Sequence, residues 1–174
     1  MRSEPALPYD FREVTEADLS MLARWLAESH LAEWWGPVDE SIAEIRQAME
    51  SVETEPLIVE LDGEPIAYLQ SYDPHLEEGH PYQDQPFGTL GIDISIGPAG
   101  LLGKGHGSAI IEQYARMLFE EGTPRLIIDP DPANLRAIRA YEKAGFTAFD
   151  TRTTAEYGPA LLMKRDAPEE IFAR

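Results

Sequence analysis

Five glycines fall within the eleven residues from Gly97 to Gly107, GPAGLLGKGHG, between a strand-like segment, Thr89 to Ile96, and a strongly helical one. The helical segment, from about Lys104 to Glu120, places Ile110, Ile111, Tyr114, Met117 and Leu118 on its core face. A strand entering a long helix through so many glycines brings free backbone N–H groups together where the helix dipole favours an anion. Glycines let a ligand approach without Cβ clashes, and Lys104 adds a point charge, so Leu102 to Gly107 can form a phosphate cradle. On the glycines alone, a turn that only caps a helix fits equally well. The spacing matches neither a P-loop ending in Gly-Lys-Ser/Thr nor a G-x-G-x-x-G after the first strand of a βαβ unit.

The rest of the chain alternates strands and helices. Residues 8 to 14 read as a first strand, and Thr15 to Asp18 as a capping box before Leu19, Leu22 and Leu26 at helical spacing. A second helix is expected from Asp39 to about Val52, after a loop at Glu33-Trp34-Trp35-Gly36-Pro37. Pro56 to Leu61 and Ile66 to Tyr72 form a hairpin across Asp62-Gly63. Residues 73 to 88 hold three prolines, two glycines, two histidines and four acids without periodicity, a long loop of the kind that compact domains keep for function. Arg125 to Asp129 is a short buried strand, Asp131 is placed to cap a helix closed by Gly145, and strands follow at Phe146 to Arg152 and Gly158 to Arg165. One domain over 1–165 and a frayed tail over 166–174 are expected.

The 174 residues carry 14 Lys and Arg against 32 Asp and Glu, a formal charge of −18. Acidity at this level opposes nucleic-acid binding, which needs clustered bases to replace phosphate counterions, and points to a cationic partner. The excess is local: residues 28 to 93 hold 16 acids and one base, Arg46, whereas residues 101 to 143 hold six of each. The absence of cysteine excludes disulfides, thiolate metal sites and a cysteine nucleophile. His30, His75, His80 and His106 lack metal-motif spacing, so no metal is expected. Nothing resembles a signal peptide or the roughly 20 apolar residues of a membrane span, and a cytoplasmic location follows as the expectation.

The succession strand, glycine turn, long helix, short strand, then Asn134, Ala137, Tyr141, Gly145 and Phe146 in NLRAIRAYEKAGF resembles the GNAT superfamily of acetyl-coenzyme A-dependent N-acetyltransferases. HLAEWWG from His30, GEPIAYLQSY from Gly63, Gly91-Ile92-Asp93, LGKGHG from Leu102 and DPDPANLRAIRAYEKAGF from Asp129 resemble, within it, the aminoglycoside 6′-N-acetyltransferases. In that subgroup the leucine at Leu102, where Gln or Arg is common elsewhere, is no anomaly. The likeness is loosest over loop 73–88, where only His80 and Tyr82 offer counterparts.

The resemblance implies an α/β (α+β) GNAT fold: a mixed sheet of six to seven strands, splayed after the fourth and flanked by about four helices. It implies acetyl-coenzyme A as co-substrate, held by Ile94, Ser95 and Ile96 on the strand, by Leu102, Gly103, Lys104, Gly105, His106, Gly107 and Ser108 in the turn, and by Asn134, Ala137, Tyr141 and Lys143 on the later helix. Asp93 takes the place of the catalytic aspartate; read alone, it is equally an ordinary carboxylate on a strand. Tyr141 can donate a proton to the departing thiolate, or pack in the core, or both. Trp35, Gln70, Tyr72, Asp93, Asp129 and Glu156 fall at acceptor-binding positions. The implied reaction is acetylation of a primary amine of a polycationic small molecule, most specifically the 6′-amine of aminoglycosides, by a monomer or homodimer. Another amine or hydroxylamine, such as a polyamine or siderophore precursor, and a non-catalytic coenzyme A-binding module are the alternatives.

Overall fold

The computed structural model describes residues 8–172; residues 1–7 and the last two residues of the expected tail lie outside it. The described elements run β1 (Tyr9–Glu13), α1 (Leu19–Ala27), α2 (Ser29–Trp35), α3 (Val38–Glu50), β2 (Thr54–Leu61), β3 (Glu64–Tyr72), β4 (Leu90–Ile96), α4 (His106–Glu120), β5 (Arg125–Ile128), α5 (Leu135–Lys143), β6 (Thr147–Thr154), β7 (Gly158–Asp166) and α6 (Glu169–Phe172). The strands form one seven-stranded sheet in the order β1-β2-β3-β4-β5-β7-β6. Every neighbouring pair is antiparallel except β4 and β5.

Strand alternation divides the core between the two faces. Leu57, Val59, Ala67, Leu69, Ile92, Leu126 and Ile128 join Ile110, Ile111, Tyr114 and Tyr141 under α4 and α5. Ile58 and Tyr68 turn the other way, against Leu19, Leu22, Leu26 and Ile45 of α1 and α3. Further along that second face Ile127 and Leu162 pack on Tyr82, so loop 73–88 covers the sheet where no helix does. No helix among the described residues is long and apolar enough to cross a membrane.

Several local expectations are corrected. Trp34 and Trp35 lie in α2, not in a loop; Trp35 packs on the second core, the buried Leu31 four residues earlier lines a small gap there with Leu22, Leu26 and Tyr68, and Gly36 at φ 77° ends the helix. Among the described residues six helices form where about four were expected, α2 and the short α6 being the additions. Asn134, not Asp131, caps α5, its Oδ1 accepting from Ala137 N at 3.3 Å, while Asp131 Oδ1 accepts from Ala133 N at 2.8 Å in a turn. Pro130 and Pro132 hold the residues before them extended, which delays the helix. α4 begins at His106 because Gly105 is left-handed at φ 82°. The expected splay falls between β4 and β5, which pair only at Leu90 with Leu126 and at Gly91 with Ile127.

Candidate active site

Asp93 stands directly opposite Gln70 in the β3–β4 register, on the face away from the Ile92 and Ile94 side chains. Gln70 Nε2 donates to Asp93 Oδ2 at 2.8 Å, and Gln70 Oε1 accepts from Tyr68 Oη at 2.5 Å, which fixes the amide's orientation. Burial drives the Asp93 carboxyl up to about 7; the nearby charges of Asp129 and Glu44 push the same way, and the Gln70 hydrogen bond opposes them. A carboxylate that titrates near neutrality is suited to general-base work.

Asp129, just past the end of β5, faces the same side as Ile127 and accepts from Tyr82 Oη at 2.6 Å. Burial raises its carboxyl, and the Tyr82 hydrogen bond lowers it. Tyr82 is held in turn from β6: the Arg152 guanidinium lies 5.5 Å from its ring centroid and donates to Pro81 O at 2.7 Å and to Asp84 Oδ2 at 2.6 Å. The Tyr72 ring reaches across β4 only because residue 91 is glycine: a Cβ there would come within 2.0 Å of Tyr72 Cζ. Tyr72, His80 and Tyr82 then form a row of rings with centroids 5.4 and 5.0 Å apart. Trp35 meets Tyr68 edge to face at 5.9 Å, linking α2 to this wall. Glu156 is exposed on the β6–β7 turn, and its field reaches Glu44 and His80 rather than Asp93.

Next to Asp93 along the strand, a cleft of about 660 Å³ opens between β4, α2, the glycine turn and α5. Gly97 N donates to Ile66 O at 2.9 Å, so the odd-numbered residues of β4 bond to β3, and the N–H and C=O groups of Ile94 and Ile96 face the open edge. Ser95 lines the cleft with them, although its backbone pairs with Tyr68 on β3 and its hydroxyl is buried without a partner. His30 Nε2 donates to Ile96 O at 2.9 Å and lines the cleft. Leu102, Gly105, Gly107 and Ser108 form the turn side of the lining, and nothing stands within 4 Å of where a Cβ on Gly107 would be. Gly103 and Lys104 flank that turn outside the lining. The His106 side chain is committed elsewhere, its Nδ1 2.8 Å from Tyr9 Oη. Asn134, Ala137, Tyr141 and Lys143 line the opposite wall from α5. Tyr141 is only 8% exposed, and its phenol is raised by burial first and then by the charges of Asp93 and Asp129.

An open strand edge leading to a left-handed glycine at the start of a long helix fits a pantetheine arm followed by a pyrophosphate. The cleft also takes in residues that the sequence did not single out for it: Trp34, Arg136 and Arg139. Glu44, whose charge reaches Asp93, was likewise hidden among the acids of α3, because helical spacing alone does not reveal which acid faces a neighbouring strand.

Residues 14–154 match the family model described as an acetyltransferase (GNAT) domain. An aminoglycoside N(6′)-acetyltransferase type 1 of Klebsiella pneumoniae is 41% identical over 164 residues, covering 87% of this chain and 80% of that protein. The solved structure of AAC(6′)-Ib with paromomycin and acetyl-coenzyme A superposes with a TM-score of 0.82 at 36% identity, covering 95% of this chain and 96% of the other. The structure of the same enzyme with coenzyme A and kanamycin gives a TM-score of 0.82 at 36% identity, with 94% and 96% covered. The chain belongs to the GNAT acetyltransferase family and, within it, is related to the aminoglycoside 6′-N-acetyltransferases.

Proposed function

We propose that this chain is an acetyl-coenzyme A-dependent N-acetyltransferase acting on the 6′-amine of an aminoglycoside. The observation that carries the reading is Asp93, a carboxyl raised to about 7 on the splayed strand β4, held by Gln70 and in the field of Asp129, with the Tyr72 and His80 rings on the neighbouring strand and loop. Bound acetyl-coenzyme A supplies a thioester-activated acetyl group. The protein must then position a primary amine, remove its proton, stabilise an oxyanion and provide a proton for the thiolate.

Asp93 receives the proton of the bound ammonium, directly or through water. Asp129 and Glu44 add negative charge that draws a polycation into the pocket, and Glu156 extends that field at its rim. Tyr72, partly exposed, offers aromatic surface to a sugar ring, which favours a ring-bearing amine over a linear polyamine. The Ile94 N–H at the open edge is placed to donate to an oxyanion, and Tyr141 holds the proton for the thiolate. Burial keeps the phenol protonated, and the same exclusion of water makes the thiolate that forms beside it a stronger base than it is in water, so the proton can pass to sulfur. Gly105, Gly107 and Ser108 receive the pyrophosphate at the start of α4, with Lys143 beside them.

Thiol release measured with acetyl-coenzyme A and a panel of amines tests the reading. Kanamycin-type aminoglycosides should be acetylated, and analogues lacking the 6′-amine should not. Turnover that ignores the 6′-amine, or that prefers polyamines or hydroxylamines, would transfer the function to another amine. No turnover with any amine, despite coenzyme binding, would leave a binding module.

A further inference from the structure

Arg136, Arg139 and Lys143 all line the cleft from α5. Their spacings of three and four place them on one side of the helix, where like charges repel. Among the described residues none of the three has an ion-pair or cation–π partner, whereas Arg12, Arg46, Arg125, Arg152, Lys164 and Arg165 all do. With 32 acids in the chain, a row of unpaired cations facing a cleft marks a place for an anion from outside the protein. Arg24, Lys104 and Arg116 are also unpaired among the described residues, but none of them lines the cleft.

One phosphate cluster does not account for the whole row. Lys143 Nζ lies 3.8 Å from where a Cβ on Gly105 would be, beside the glycine turn proposed to take the pyrophosphate. At 1.5 Å per residue, Arg139 and Arg136 lie about 6 and about 10 Å further along the helix, toward its N-terminus. A second anion is needed there, and coenzyme A carries one: the phosphate on the 3′-oxygen of its ribose. The planar guanidinium donors suit a phosphate, and the half-exposed Leu135 gives apolar surface beside them on the same wall. We infer that Arg136 and Arg139 bind the 3′-phosphate of coenzyme A and make this protein select coenzyme A over 3′-dephospho-coenzyme A. The inference rests on the acetyl-coenzyme A reading above.

The test is the dissociation constant of coenzyme A and of 3′-dephospho-coenzyme A, measured by calorimetry without acceptor, for the full chain and two variants. The parent should bind coenzyme A at least tenfold more tightly than its dephospho form. Arg136→Gln with Arg139→Gln should lose at least tenfold for coenzyme A and leave the dephospho form unchanged; Lys143→Gln should weaken both alike. Equal affinity of the parent for the two ligands, which needs no variant to fold, would overturn the inference, as would a double variant that weakens both ligands equally. Failure of the folded parent to bind either ligand would overturn the acetyl-coenzyme A reading and this inference with it, so the two failures are distinguishable.

Discussion

Gln70 and Asp93 face each other across β3 and β4, and the amide of one donates to the carboxylate of the other at 2.8 Å. The contact favours the charged form of a group that burial and Asp129 push toward neutrality. Removing it with Gln70→Leu should raise Asp93 further, moving the acid limb of the kcat/KM profile to higher pH by roughly 0.5–1 unit. A pH–rate profile checks the direction; an unmoved limb would mean that another group controls it.

Asp93→Asn should lower kcat by about 10²–10⁴-fold, because the carboxamide cannot accept the amine's proton. The same variant carries a stability signature of the opposite sign. The folded protein holds the Asp93 proton up to about pH 7, whereas an unfolded aspartate releases it near pH 3.9, so stability falls as pH rises between these values. The variant should therefore be more stable than the parent at pH 8, on the order of 1–3 kcal/mol, with the difference vanishing below about pH 4. Denaturant unfolding at the two pH values measures it.

Tyr141→Phe keeps the buried ring and removes only the phenolic proton. Turnover should slow by about 10–10³-fold, with the dissociation constant of coenzyme A nearly unchanged. Unchanged turnover would remove Tyr141 from the chemistry and leave it a core residue under α5.

Gly91→Ala adds one methyl group into the Tyr72 ring, at 2.0 Å from Cζ. The strain should cost about 1–3 kcal/mol of stability and displace the ring. The acceptor KM should rise while coenzyme A affinity stays near that of the parent, because the clash lies on the sheet face away from α4 and α5. Parallel kinetics and calorimetry separate the two effects.

The strands, α4 and the hairpin at Asp62-Gly63 were legible because alternation, helical periodicity and turn glycines are local signals. α2 was obscured because a Trp pair before Gly-Pro reads as a loop until the second core that receives Trp35 is known. The start of α5 was misjudged because both Asp131 and Asn134 can cap, and the choice depends on where the two prolines let the chain turn.

By itself the sequence determined the order of elements, the glycine turn, the Asn134 to Phe146 motif and the concentration of net negative charge in residues 28–93, all properties of short stretches of chain. Only the tertiary structure decided which of those residues come together. Asp93 is one of 32 acids until the sheet places it against Gln70 and partly buries it in the field of Asp129. Likewise, Arg136 and Arg139 are ordinary helix-surface bases until the end of β4–β5 pairing at Gly91 opens a cleft in front of them. Burial and pairing are properties of elements brought together from distant parts of the chain, and no local pattern encodes them.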